Sequence, residues 1–234
     1  MSWRSSSHAN VNFDPVKARQ YVLKLGGHVD SLAEDLLDTA VTIYVHDRIH
    51  KRDTRDFARI SKITVPVRNP TIWTTHKSAV LDCISYLMRD KIELAFTKFP
   101  GEPSKRSFSL EDGRPVCLFS GGADSFAGAI TLLEQKEDPI LVSHCSGTTV
   151  TSVQRNLALT LQQHYPDRAV NHFSVGVTLK GEIREDEEET QWARSFLYLS
   201  LASFFAIALG TKKLRVFENG PIALNVPIAE GRNN

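Results

Sequence analysis

The pattern of apolar and polar residues divides the chain into two parts near residue 113. After this point, short apolar runs alternate with segments in which apolar residues recur every three or four positions. Short apolar runs are typical of buried strands, and the longer spacing is typical of helices. Their regular alternation predicts an α/β fold with a parallel, doubly wound sheet that has helices on both faces.

The second part contains predicted strands at 116–119, 140–144, 169–175 and 214–217. Helices are predicted to begin at Ser125 and Ser152 and to cover 192–209. The second of them has a buried stripe formed by Val153, Leu157 and Leu161.

The last predicted helix is apolar at most positions. Arg194 and three serines interrupt it, so the sequence favours a core helix over a membrane span. Gly210 is its expected C-cap.

The first part is smaller and mixes helices with strands. An Asp-Pro pair at 14–15 predicts a helix that a glycine pair at 26–27 ends, and a second helix begins at 30 or 31. Apolar residues that alternate with polar ones predict strands at 63–67 and 92–96, with a helix at 79–88 between them. Pro66 favours an edge position for the first strand.

Two segments rich in charge complete the first part. The run 47–59 is predicted to be a solvated helix end and loop. The segment 99–115, with its glycines, prolines and charges, is predicted to be a domain boundary. We therefore expect a small α+β N-terminal region at 1–112, suited to binding a partner, and a second domain at 113–234.

Candidate chemistry lies directly after the first strand of the second domain, at 120–125. Gly121 and Gly122 permit a sharp turn and let a phosphate approach the backbone. The N–H groups of the following helical turn attract an anion, and the hydroxyls of Ser120 and Ser125 add donors. The string is neither the lysine-containing P-loop nor the dinucleotide fingerprint, because neither pattern occurs in the chain.

Other candidate residues lie where parallel strands would end, since ligands of open α/β sheets bind at that edge. Asp124 is expected to hold the loop or to help bind Mg²⁺, or else to cap the helix. His144 is expected to line the ligand pocket at this edge, with a surface or core histidine as the alternative. Arg194 is expected to neutralise charge on phosphate, with a surface arginine as the alternative. The acidic run 182–189 is either a solvated loop or a lid.

The string S-G-G-A-D-S at 120–125 resembles the SGGxDS loop of the ATP pyrophosphatase (PP-loop) superfamily. The resemblance implies the adenine nucleotide α-hydrolase-like (HUP-type) fold and cleavage of ATP between its α and β phosphates. It implies the following residues around ATP: Phe119, Ser120, Gly121, Gly122, Ala123, Asp124, Ser125, His144 and Arg194. Asp124 and Arg194 are its expected catalytic residues, with Asp124 at the metal.

Two longer strings narrow the resemblance. RSFLYLSLASFFAIALG and LRVFENGPIALNVPI are similar to the 7-cyano-7-deazaguanine synthase branch, although Ser195 stands where the biosynthetic enzyme has asparagine. The E-N-G-x-x-x-L-N-x-P string at 218–227 and the earlier VPVRNP are closer to the synthase-like proteins of the Qat anti-phage operons. The resemblance implies the substrate contacts Glu218, Asn219, Gly220 and Asn225.

The implied reaction is adenylation of a carboxylate, with a deazaguanine-type acid expected, followed by attack of an amine or ammonia. The relative's zinc site is not expected, because three cysteines cannot supply four ligands. Relatives usually continue past the ENG string, so the sequence leaves open whether the chain is a fragment that lacks part of the substrate site. Two alternatives are conjugation of the acid to a protein partner from the same operon and a non-catalytic ATP-binding scaffold.

Charge, cysteine content and the N-terminal sequence limit the expected partners and cellular compartment. A formal net charge of +1 gives no basis for a nucleic-acid partner. Three well-separated cysteines at 83, 117 and 145 are expected to be buried thiols in a reducing cytosol. The N-terminus lacks an apolar signal region, so we expect a cytoplasmic protein without a membrane partner.

Overall fold

The computed structural model describes residues 11–13, 15–52, 59–100, 113–145, 147–179 and 191–218. In chain order its elements are β1 (Val11–Phe13), α1 (Pro15–Lys24), α2 (Ser31–Ile49), β2 (Ile60–Val67), α3 (Pro70–Thr75), α4 (Lys77–Met88), β3 (Lys91–Lys98), β4 (Val116–Leu118), α5 (Ala123–Glu134), β5 (Ile140–His144), α6 (Thr148–His164), β6 (Asn171–Val175), β7 (Val177–Leu179), α7 (Arg194–Leu209) and β8 (Leu214–Arg215).

The predicted strands of the second part form a four-stranded parallel sheet in the order β6-β5-β4-β8. Successive side chains of a strand face opposite sides of the sheet. Val116 and Val142 accordingly belong to an apolar cluster with α1, α2 and α7. Cys117 and Leu141 belong to a different cluster with α5 and α6. The prediction of an α/β fold with parallel strands is confirmed.

Helix α7 packs against β4 and β5 on one side and against α2 on the other. Leu197, Leu201 and Phe205 are buried in the shared cluster. Each such side chain stabilises the fold by about 1.5–3 kcal/mol relative to an exposed position. Gly210 ends the helix at φ 68°, which confirms the predicted C-cap.

No helix in the described ranges is both long enough and apolar enough to cross a membrane.

The β2 and β3 strands form a separate two-stranded parallel sheet, which α3 and α4 cover. Alternate residues of β2 are buried, as the sequence pattern predicted. Ile63, Val65 and Val67 pack with Trp73 of α3 and Ile84 of α4 in a third apolar cluster.

Local signals set several boundaries. Asp30 caps α2, because its carboxylate accepts a hydrogen bond from the N–H of Ala33 at 2.8 Å. Gly26 follows α1 at φ 77°, a conformation that glycine adopts without strain. The sequence pattern did not predict α3 or the short antiparallel pair of β1 and β7.

The prediction of a solvated helix end and loop at 47–59 holds for the exposed His50 and Lys51 but is wrong for Asp47 and Arg52, which are buried. Asp47 is 0% exposed, and its carboxylate binds Arg52 at 2.7 Å and Arg59 at 2.8 Å. Arg59 also binds Asp90 at 2.6 Å. A run of charges in the sequence does not reveal which of its side chains are buried. Opposite charges from distant segments can pair with these side chains inside the protein, and the local pattern does not contain those partners.

A second buried network joins α2 to the end of β2. The Arg68 guanidinium binds Glu34, Asp35 and Asp38 at 2.7–3.2 Å. Asp35 also accepts hydrogen bonds from the backbone N–H groups of Arg68 and Asn69 and from the indole N–H of Trp73. This network fixes the turn from β2 into α3.

Replacing Arg68 by methionine is expected to lower the free energy of unfolding by about 3–5 kcal/mol, because it removes the cation that the buried carboxylates of Asp35 and Asp38 share, whereas Glu34 keeps its ion pair with Arg19. Urea denaturation measures the loss. The control is Lys62→Met in the exposed Lys62–Glu93 pair, where the change should stay below about 1 kcal/mol. Equal losses in the two variants would contradict this account of the network.

Candidate functional site

A cavity of about 90 Å³ opens at the carboxyl ends of β4, β5 and β8. Its wall includes Phe119 and Ser120 after β4, His144 at the end of β5, and Phe217 and Glu218 after β8. The strand order reverses next to β4, since β5 and β6 lie on one side of it and β8 on the other. This is the place where open α/β sheets bind ligands.

The loop between β4 and α5 makes the sharp turn that its glycines predicted, with positive φ at Gly121 but not at Gly122, which is at φ −85°. Gly121 has φ 84°, and a Cβ at this position would lie 3.0 Å from Cγ of Gln154. Gly122 is the N-cap of α5, and no side chain caps this helix end. Residues 122–124 are exposed, so the positive end of α5 is open to an anion.

The two serines of the loop brace it from within. The Ser125 hydroxyl donates to the Gly122 carbonyl at 3.0 Å, and the two serine Oγ atoms lie 3.1 Å apart. Ser120 Oγ accepts from the Gly122 N–H at 3.3 Å. Each hydroxyl has one proton, so both protons are used inside the loop. The backbone amides at the start of α5 are therefore the better donors for a phosphate.

Gln154 of α6 ties the loop to the neighbouring strand, and sequence reasoning missed it. Its Nε2 donates to the carbonyl of Ser120 at 3.1 Å and to that of His144 at 3.3 Å. These bonds make the other amide atom the oxygen, and Oε1 is buried without a partner. The cavity wall therefore contains an unpaired acceptor.

The buried face of α6 differs from the predicted stripe. Gln154, Ala158 and Leu161 are buried, whereas Val153 is 45% exposed. Relative to the prediction, the helix is rotated so that Gln154 faces the sheet, where it donates to the carbonyls of Ser120 and His144. An apolar side chain cannot donate these hydrogen bonds. The spacing of Gln154 from Ala158 and Leu161 was the signal available in the sequence.

His144 is held neutral in the cavity wall. It is 4% exposed, and burial lowers its pKa to about 4. Its Nε2 accepts a hydrogen bond from the Val177 N–H at 3.3 Å, so the proton of the neutral ring is on Nδ1. Nδ1 is buried and has no partner. The cavity wall thus contains an unpaired donor as well.

Phe217 packs directly on α5 and places the end of β8 against the cavity. A Cβ added to Gly128 would lie 2.1 Å from Cγ of Phe217, so only glycine allows this contact. Glu218, the next residue, lines the cavity.

Arg194 is the first residue of α7 and is exposed. Its guanidinium carbon lies 5.9 Å from the ring centre of Tyr198, which lines the cavity. The same cation helps to lower the pKa of His144. Arg194 therefore lies beside the cavity and not in its wall.

Asp124 is exposed in the first turn of α5, and Gly122 occupies the N-cap position that the capping alternative gave to Asp124. Among the described residues, no group of three His, Cys, Asp or Glu side chains could hold a metal ion. One carboxylate suits Mg²⁺ when phosphate oxygens and water supply its other ligands.

Several predicted residues lie outside the described part of the chain. They are Asn219, Gly220, Asn225 and the acidic run 182–189. Of the cysteines, Cys117 is buried, Cys145 is half-buried and Cys83 is exposed, so the prediction of a buried thiol is wrong for Cys83. Helical spacing placed Cys83 next to apolar residues without showing which face of α4 meets the β2–β3 sheet.

Replacing Gln154 by alanine is expected to lower the free energy of unfolding by about 1–3 kcal/mol, because two strand-end carbonyls lose their donor. Urea denaturation measures it. The matched control is Gln162→Ala, which removes an exposed amide bond to the Arg168 carbonyl and should change stability by less than about 0.5 kcal/mol. A small effect at Gln154 would show that it does not brace the loop.

The neutral His144 makes stability depend on pH. Its folded pKa of about 4 lies below the ordinary value of 6.5, so the unfolded chain takes up a proton first as the pH falls. The contribution of His144 to the free energy of unfolding should therefore decrease below pH 6.5, by up to about 3 kcal/mol near pH 4, and His172, whose pKa burial also lowers to about 4, adds a decrease of the same sign. Urea denaturation at several pH values should show a shallower decrease in His144→Asn than in the wild type, while the exposed-site control His164→Asn keeps the wild-type slope. A wild-type slope in His144→Asn would contradict the assignment.

No family model, curated protein or solved structure matches this chain. A functional conclusion must therefore rest on the chemistry of the site.

Proposed function

We propose that this chain is an ATP pyrophosphatase-type ligase. It binds ATP with Mg²⁺ on the 120–125 loop and transfers AMP to a small carboxylate, which releases pyrophosphate. An amine or ammonia then displaces AMP from the acyl adenylate. The expected acid is of the deazaguanine type, and the proposed setting is cytoplasmic anti-phage defence.

One observation carries this proposal: the cradle formed by Gly121, Gly122 and the uncapped start of α5. Gly121 has the positive φ that the turn needs, and no side chain caps the start of α5, so the first amides of this helix are open to an anion. The cradle lies at the reversal of strand order, next to a cavity with one buried unpaired donor and one buried unpaired acceptor. Such atoms cost free energy until a ligand pairs with them.

The parallel order β6-β5-β4-β8, with apolar clusters on both faces, supports a doubly wound sheet of the HUP type. We assign residues 113–234 to this domain and 1–112 to an N-terminal region. The two regions share an apolar cluster through α2 and α7, so the proposed catalytic domain includes the N-terminal region in its core.

The proposed roles follow from position and charge. The amides at the start of α5 hold the phosphates, and Arg194 neutralises charge that develops on the α-phosphate or on departing pyrophosphate. Asp124 would supply a carboxylate to Mg²⁺, which would neutralise negative charge on the phosphates. Glu218 contacts the substrate, together with Asn219, Gly220 and Asn225.

The size of the cavity limits how the nucleotide lies. About 90 Å³ is below the range of roughly 300–1,000 Å³ typical of small-molecule sites. The proposed ATP therefore places its phosphates on the exposed surface of 122–124, and the side chains of the cavity move apart to admit the nucleoside. This limited space also favours a second candidate, a scaffold that binds nucleotide without turning it over.

Wild-type protein with ATP, Mg²⁺ and a deazaguanine carboxylic acid is expected to form AMP and pyrophosphate in equal amounts, measured by chromatography and a pyrophosphate assay. Arg194→Ala should lower kcat by about 10²–10³-fold, the size of effect seen when a group that stabilises transition-state charge is removed. The matched control is Arg168→Ala at the opposite edge of the sheet, which should keep the wild-type rate. ATP binding without AMP formation, across a panel of carboxylic acids, would favour the scaffold.

The Asp124→Asn variant tests the metal role separately. Asparagine keeps a polar side chain but loses the charge that Mg²⁺ prefers, so the Mg²⁺ concentration for half-maximal rate should rise by about tenfold or more. Titration of the rate with Mg²⁺ at saturating ATP measures this. An unchanged Mg²⁺ dependence would remove Asp124 from the metal site.

A further inference from the structure

Residues 191–193 lead into α7. Side chains of α2 and of Arg52, which lies shortly after α2, hold this segment. The N–H of Ala193 donates to Oδ2 of Asp47 at 2.9 Å. The hydroxyl of Tyr44 donates to the side-chain oxygen of Gln191 at 3.1 Å. The guanidinium of Arg52 lies 4.4 Å from the ring centre of Trp192. Each residue of this segment thus has a partner from the N-terminal region.

Asp47 is the centre of these contacts. Its Oδ1 accepts from Arg52 and Arg59, while its Oδ2 accepts from Ala193. Arg59 is fixed in turn by Asp90, just before β3. A fully buried carboxylate held by two guanidinium groups has little freedom to move, so its bond to Ala193 has a defined position.

The position of Ala193 determines that of Arg194. Ala193 is the N-cap of α7 and has no side chain that could cap the helix. It is buried against Ile43 and the β2–β3 cluster, and Arg194 begins the helix directly after it. A shift of Ala193 therefore moves Arg194 relative to Tyr198 and the cavity.

We propose that Asp47, fixed by Arg52 and Arg59, is a positioning residue that sets where Arg194 stands beside the nucleotide site. The inference rests on the proposed function of Arg194 in charge neutralisation. It assigns the N-terminal region a direct part in the reaction, because the residues that orient the cation belong to α2 and the β2–β3 unit. Asp47 itself does not contact the substrate.

The chain contains a matched control for Asp47. Asp35 lies on the same helix, is equally buried and also pairs with an arginine, Arg68. Its carboxylate is bound by Arg68 and Asn69 of the β2–α3 turn and by the indole N–H of Trp73 in α3. Each carboxylate is therefore associated with a different tryptophan, Trp192 for Asp47 and Trp73 for Asp35.

The test combines kinetics with fluorine NMR of the full chain labelled with 5-fluorotryptophan. The resonances of Trp3, Trp73 and Trp192 are assigned by single Trp→Phe substitutions. Asp47→Asn should shift or broaden the Trp192 resonance and lower kcat by about 10–100-fold, the effect of a small misplacement, with KM for ATP changed less than about threefold. Asp35→Asn should move the Trp73 resonance instead and leave kcat near the wild-type value.

The milder variant Tyr44→Phe covers the case in which Asp47→Asn does not fold. Loss of its bond to Gln191 should shift the Trp192 resonance and lower kcat by up to about tenfold. Equal losses of kcat in Asp47→Asn and Asp35→Asn, or an unmoved Trp192 resonance in Asp47→Asn or Tyr44→Phe, would overturn the proposal.

Failure of the proposed function gives a different result. The wild type would then form no AMP, while the fluorine spectra would still decide whether Asp47 holds the segment before α7. A Trp192 resonance that moves in Asp47→Asn and stays in Asp35→Asn would support the positioning role without the ATP reaction. An unmoved resonance would overturn that role too.

Discussion

The packing of α7 between the four-stranded sheet and α2 is the constraint on which the rest of the structure depends. Leu197, Leu201 and Phe205 bury apolar surface that would otherwise face water, and this burial supplies the main favourable free energy of folding. Because α7 needs a cover on the side away from the sheet, α2 lies in the interior of the protein. The N-terminal and C-terminal halves therefore share an apolar cluster.

Burial of α2 has an electrostatic consequence. Carboxylates such as Asp35 and Asp47 leave water with the helix, and each needs cations and N–H donors in return. Arg68 pairs with Asp35, and Arg52 and Arg59 pair with Asp47. These pairs have more value for geometry than for stability, since desolvation offsets most of their attraction. They fix the β2–β3 unit and the start of α7 relative to α2.

The candidate site lies at the carboxyl edge of the same four-stranded sheet. Parallel pairing brings the ends of β4, β5 and β8 together, and the loop after β4 meets the face of α6 there. Backbone carbonyls at strand ends lack ladder partners, so the amide of Gln154 supplies a donor to two of them. This support leaves the amides of α5 facing outward, where an anion can reach them.

The sequence by itself determined the parallel α/β alternation, the glycine turn at 120–125 and the C-cap at Gly210, because each depends on local backbone preferences or on a short hydrophobic period. Only the tertiary structure decided that Asp47 and Arg52 of the charged run are buried, that Gln154 faces inward in place of Val153, and that Cys83 faces outward. The physical reason is the same in each case: the environment of these side chains is set by partners far away in the chain. Ala193 and Asp47, which are 146 positions apart, form a bond that no local pattern contains.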